Sequence, residues 1–149
     1  MKLGTLIFLA VFSCSCSLNF GGGPFPVQQE HQQVRRSLDG LISAYRDQDI
    51  FRFAEQVAEN YTGDRGQLEL QVQRDFSALF DIDIRYTLNN ITSDGQGRVF
   101  VAITFNRTHT VKATGARVRQ SGEASFVFIR EGENYRLLSQ RQPLFGVTY

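Results

Sequence analysis

Hydrophobic and polar residues repeat with two different periods along this chain, and the change falls near residue 80. Over residues 27–46 the apolar positions Val34, Leu38, Leu41, Ile42 and Tyr45 recur at spacings of three and four, with Gln, Arg and Glu between them. That pattern predicts an amphipathic helix with one buried stripe. Gly40 inside it costs about 1 kcal/mol relative to Ala, which suggests a closely approaching neighbour. Asp47-Gln-Asp49 interrupts the period. Asp49 is suited to cap a short second helix over 50–59 that buries Phe51 or Phe53, Ala54 and Val57. After a loop over 60–65, Asp64 followed by Gln67 has the form of a capping box, and Leu68, Val72, Phe76, Leu79 and Phe80 mark one face of a third helix.

From 81 to 142 the period shortens to two. The runs 99–105, 124–129 and 135–138 are rich in β-branched and aromatic residues, and the clusters Ser93-Asp-Gly-Gln-Gly97 and Arg130-Glu-Gly-Glu-Asn134 separate them. Three or four consecutive antiparallel strands are predicted. Val99, Val101, Ile103 and Phe105 share one face of a strand, and Arg107 and His109 continue the same parity. Two readings follow. If the strand runs on, an Arg and a His stand at the rim of the core face, fit for anion or carbonyl recognition and proton transfer. If it has ended, both point into solvent.

Helices segregated before a run of antiparallel strands define an α+β domain in which a curved sheet wraps onto three helices. The order of elements, the acidic turn Tyr45-Arg-Asp-Gln-Asp-Ile50 and the last strand Tyr135-Arg-Leu-Leu-Ser-Gln140 resemble the nuclear transport factor 2-like superfamily over residues 28–142. A cystatin-like helix-on-sheet arrangement is the alternative. The resemblance implies a cone whose pocket lies between the concave sheet face and the helices, and a superfamily that commonly dimerises through the sheet. Its isomerases and dehydratases use an inward Asp, often with Tyr or His. No acid of this chain sits at a matching motif, so those roles are not carried over.

Other polar residues have two readings each. Asp81 and Asp83 are two apart at a strand start and expected on one side; beside an apolar pocket they would form a general-base pair, and otherwise a solvated strand entrance. Tyr45, Tyr61 and Tyr86 would lend hydroxyls to a cavity or pack as core. His31 falls on the polar side of the first helix and is expected to be solvated. Arg85, Glu123, Arg136 and Arg141 suit ion pairs on the outer sheet face. The apolar tail Pro143-Leu-Phe-Gly-Val-Thr-Tyr149 would be a plug for the cone or a docking peptide.

Composition narrows the partners. The formal charge is +1, and without Lys2 basic and acidic residues balance. Arginines are dispersed rather than clustered, which argues against nucleic-acid binding. Of the thirteen Phe, nine fall within 27–149 and supply a core for one domain there. No phosphate-cradling Gly loop, zinc-type His cluster or Gly-x-Ser-x-Gly elbow occurs, so no cofactor or metal is implied. Gly21-Gly-Gly23 precedes Pro24 and reads as a linker.

Met1-Lys2 and the apolar run 3–12 have the anatomy of a signal peptide and are too short to span a bilayer. Val11-Phe12-Ser13-Cys14 resembles the bacterial lipoprotein signal box, with Phe12 departing from it and Cys16 as the alternative register. Both cysteines lie here, so the domain has no disulfide framework or thiol nucleophile. The expected chain is a signal peptide over 1–13, a lipidated tether over 14–26 and the domain. The resemblance implies an envelope lipoprotein facing the periplasm, the following Ser being of the outer-membrane type. The glycosylation-like triplets at Asn60, Asn90 and Asn106 are then chance matches. Without a catalytic constellation, the expected function is non-enzymatic binding of an apolar small molecule or an envelope protein, with homodimerisation through the sheet. The alternative is a small isomerase, dehydratase or hydrolase using His109 and pocket acids.

Overall fold

The computed structural model describes residues 26–146; the leader, Cys14, Cys16 and nearly all of the tether lie outside them, as do residues 147–149. Three helices, α1 (Pro26–Arg46), α2 (Ile50–Glu55) and α3 (Arg65–Ala78), precede four strands, β1 (Leu79–Ser93), β2 (Arg98–Val111), β3 (Arg117–Glu131) and β4 (Asn134–Arg141). The strands form one antiparallel meander in the order β1-β2-β3-β4.

The stripe read from the sequence is the buried face of α1: Val34, Leu38, Leu41, Ile42 and Tyr45 are all buried. Asp49 caps α2, accepting from the backbone N–H of Arg52 at 3.0 Å, and Asp64 caps α3 through Gln67 N–H at 3.0 Å. Three expectations need correction here. The second helix ends at Glu55, because residues 56–62 leave it to line the edge of β4, where Val57 pairs with Leu137 and Ala58 N–H donates to Leu137 O at 3.0 Å. The third helix ends at Ala78, and Leu79 and Phe80 open β1 instead of continuing the helical face. A methyl group on Gly40 would make only ordinary contact with Gln56, at 3.6 Å, so no close approach requires the glycine.

On β2 the inward residues Val99, Val101, Ile103 and Phe105 meet the helices and the inward residues of β3, Ala124, Phe126 and Phe128. Phe105 pairs with Gly122, and its ring lies over the space a side chain there would take. In α2 it is Phe53 that is buried; Phe51 is 82% exposed. Two further bonds tie α1 to the sheet: Tyr135 Oη donates to Glu30 at 2.6 Å and Tyr86 Oη to Asp39 at 2.6 Å. No helix among the described residues is long and apolar enough to cross a membrane.

Candidate functional site

Alternation on β2 does not stop at Phe105. Arg107 and His109 are both fully buried on the same inward face, so the solvent-facing alternative does not hold. Tyr45 from α1 lies opposite, with the Arg107 guanidinium carbon 5.2 Å from its ring centroid, a cation–π contact in a desolvated setting. The Tyr45 hydroxyl donates to Asp75 Oδ2 on α3 at 2.5 Å, and Asp75 is only 3% exposed. One tyrosine therefore links a buried guanidinium, at its face, to a buried carboxyl, at its hydroxyl. Burial pushes the His109 imidazole below its ordinary value, and the charge of Arg107 adds to the effect. An imidazole held neutral at pH 7 can accept a proton.

The C-terminal segment closes this cluster. Leu144 O accepts from Arg107 Nη1 at 3.2 Å, and the fully buried Phe145 ring stands 5.1 Å from Tyr45, 5.3 Å from Phe53 and 6.0 Å from Phe126. Leu144, Phe145 and Gly146 of the tail are thus buried in the cone, while Pro143 is exposed.

Other sequence candidates fall elsewhere. Asp81 sits in a β-bulge between Phe80 and Asp83 with φ 51° and is exposed. Asp83 faces outward beside Arg85, at 3.2 Å, and Arg46, at 4.0 Å, while Ile82 and Ile84 take the core side. This acid pair is a solvated strand entrance, away from His109. Tyr86 is half-buried on Asp39, with its phenol pushed up to about 12 by burial and by that carboxylate. Tyr61 is half-buried near Gln140, and burial raises its phenol too. Neither joins Tyr45. His31 is half-buried, with Nε2 out of contact with water, rather than solvated. Of the outer-face charges, Arg136 pairs with Glu131 at 3.2 Å. No cluster of three or more metal-ligating side chains occurs among the described residues.

Asp75 is the site residue that sequence reasoning missed. It stands three residues after Val72 and seven after Leu68, within the apolar stripe of α3, and a carboxyl inside a stripe signals a buried polar partner.

No protein-family model and no curated protein matches the sequence. Solved structures match the fold. A ketosteroid isomerase-like protein from Erwinia carotovora superposes with a TM-score of 0.64 at 16% identity, covering 77% of this chain and 98% of that one. A dehydratase candidate of the NTF2-like family from Streptomyces avermitilis gives 0.67 at 16% identity, covering 76% and 95%. A scytalone dehydratase candidate from Novosphingobium aromaticivorans gives 0.71 at 7% identity, covering 76% and 83%. The fold is the α+β cone of the nuclear transport factor 2-like proteins.

Proposed function

We propose that this chain is an envelope lipoprotein whose cone domain binds a small molecule at the Tyr45–Asp75–Arg107–His109 cluster. The observation that carries the binding reading is the complete burial of Arg107 and His109 beside Tyr45 and Asp75. Replacing buried ionic groups with well-packed apolar residues is often neutral or stabilising, by about 1–4 kcal/mol. Stability alone is therefore a poor account of a charged side chain at position 107, and a buried histidine whose titration is lowered by burial and by that charge is a candidate functional group. The anchoring rests on the signal-box resemblance at Cys14, with Cys16 as the alternative. Multiple acyl chains hold a protein on a membrane where one does not.

Native mass spectrometry of the domain, purified without detergent, tests the binding. We expect a mass increment that disappears on denaturation and is lost in folded Arg107→Met and His109→Leu variants. A variant that keeps the increment would sink the assignment. Labelled palmitate incorporation that survives Cys14→Ala, Cys16→Ala and the double replacement would remove the anchor.

A second reading is favoured by one observation, the neutral imidazole of His109 within a site that also holds a carboxyl and a phenol. In an isomerase or dehydratase it would act as general base, with Asp75 in place of the expected Asp81 and Asp83. That reading requires turnover of a bound compound, abolished by His109→Gln with the fold intact.

A further inference from the structure

The segment that closes the cone has the chemical form of a ligand. β4 ends at Arg141, Gln142 turns the chain with φ 52°, and Leu144 and Phe145 then enter the core. Leu144 presents a carbonyl oxygen to a buried guanidinium, and Phe145 presents a benzyl group to a cage of Tyr45, Phe53 and Phe126. Only the backbone N, Cα and Cβ of Phe145 separate that carbonyl from that ring. Arg107 Nη1 donates to Leu144 O and Gln140 Nε2 to Phe145 O at 3.1 Å, and the β3–β4 ladder has already ended at Ser125 and Arg141.

We propose that Leu144–Phe145 is an intramolecular occupant of the binding site, and that the site's ligand is an aromatic compound whose carbonyl or carboxylate oxygen is spaced from its ring as in an N-acyl phenethylamine or a 4-arylbutanoate. This rests on the reading that the cluster binds a small molecule, and it adds the ligand's class and what the ligand must displace. The apolar cage selects a ring, and the guanidinium selects an oxygen acceptor. A carboxylate can take two parallel N–H···O bonds from a guanidinium, where the tail's amide carbonyl takes one from Nη1. An acid of this shape therefore competes better than the tail's own amide. Gln142 in a left-handed backbone is a strained exit for a residue with a side chain, so the segment is held by what it fills rather than by the path of the chain. Because a ligand must bind the fraction of molecules whose tail is out, its apparent affinity is reduced by that fraction.

The test is hydrogen exchange, read by mass spectrometry, at peptides covering 143–146 of the full chain. The probes are 4-phenylbutanoate and N-acetylphenethylamine, with hexanoate lacking the ring and propylbenzene lacking the acceptor as controls. We expect both probes, and neither control, to speed exchange at the tail. Phe145→Ala, with the occupant's ring removed, should bind 4-phenylbutanoate roughly tenfold or more tightly than the unaltered chain. Tail exchange that no probe alters, with Phe145→Ala binding propylbenzene as well as 4-phenylbutanoate, would make the segment fixed core and overturn the proposal. Should Phe145→Ala fail to fold, the exchange measurement on the unaltered chain still decides. A small molecule retained by the unaltered chain while its tail stays protected would refute this inference and leave the binding reading standing. No binding by any form refutes both.

Discussion

Replacing Tyr45 with Phe removes one oxygen from the centre of the buried cluster and nothing else. The ring stays in its cage, 5.2 Å from Phe76 and 5.1 Å from Phe145, and keeps its face toward Arg107. What goes is the 2.5 Å bond from the hydroxyl to Asp75 Oδ2, between two side chains closed off from water. A net hydrogen bond contributes about 0.5–1.5 kcal/mol, and about 1.5–3 kcal/mol where one partner is charged, so a loss of about 1–3 kcal/mol is expected. In a domain of this size that lowers the melting temperature by roughly 4–12 °C. Urea unfolding followed by circular dichroism should show a lower midpoint with an unchanged slope, since the native core keeps its area. The double variant with Asp75→Asn then isolates the pair, with a coupling of about 0.5 kcal/mol or more expected for residues in one network. If Tyr45→Phe lies within about 0.5 kcal/mol of the parent, as surface changes do, the tyrosine is not the link described here.

Two further outcomes concern pH. His109 titrates below its ordinary value of 6.5 when folded, so the unfolded chain takes up this proton first. Stability from this residue is full above pH 6.5 and is lost as pH falls through that value toward the folded one; denaturant midpoints should show this, and His109→Gln should flatten that limb. Tyr86 and Tyr135 hold their protons to about 12 through burial and through Asp39 and Glu30, respectively. Unfolded phenols ionise near 10, so stability should decline as pH rises above that value, and the tyrosinate absorbance of Tyr86 should appear at lower pH in Asp39→Asn.

The fold was legible because its signals are local. Periodicity in α1 and alternation in β2 each specify a buried face without knowledge of the partner, and the capping aspartates mark helix starts in the same local way. Boundaries were less legible. Leu79 and Phe80 continue the helical spacing of Leu68, Val72 and Phe76, and it is the pairing of Leu79 with Val111 and of Phe80 with Thr110 that assigns them to β1. Alternation also put Arg107 and His109 on the core face, but what covers them there is non-local: α1, α3 and a tail that returns from beyond the last strand. For Asp81 and Asp83 the solvated strand entrance is the reading that holds, and spacing could not choose it, since spacing records neither a bulge nor the arginines that hold a carboxylate at the surface. The tail's path rests on left-handed turns at Gln142 and at Gly146, and the first of these is not a residue that announces such a turn.

The site itself follows from the length of β2. Its run of apolar inward residues is interrupted after Phe105 and resumes only at Val111, yet its register with β3 continues without a break from Arg98 opposite Ile129 to Thr110 opposite Arg117, so Arg107 and His109 must point inward too. The irregularities of the sheet are taken up instead by β1, in bulges near Phe80 and Leu88, and by β4 opposite Val127. Two polar side chains are thereby carried into an interior that the C-terminal segment closes. If that segment leaves, water reaches Arg107, and a guanidinium charge screened by water acts more weakly on its neighbour. That charge is the second cause of the lowered His109 titration, after burial, and hydration weakens both. A chain ending at Gln142 should therefore show the His109 imidazole titrating closer to 6.5 than in the full chain, read from its ring proton shifts by nuclear magnetic resonance. Identical titration with and without the tail would mean that Leu144 and Phe145 do not control access to the cluster, whatever else they pack against.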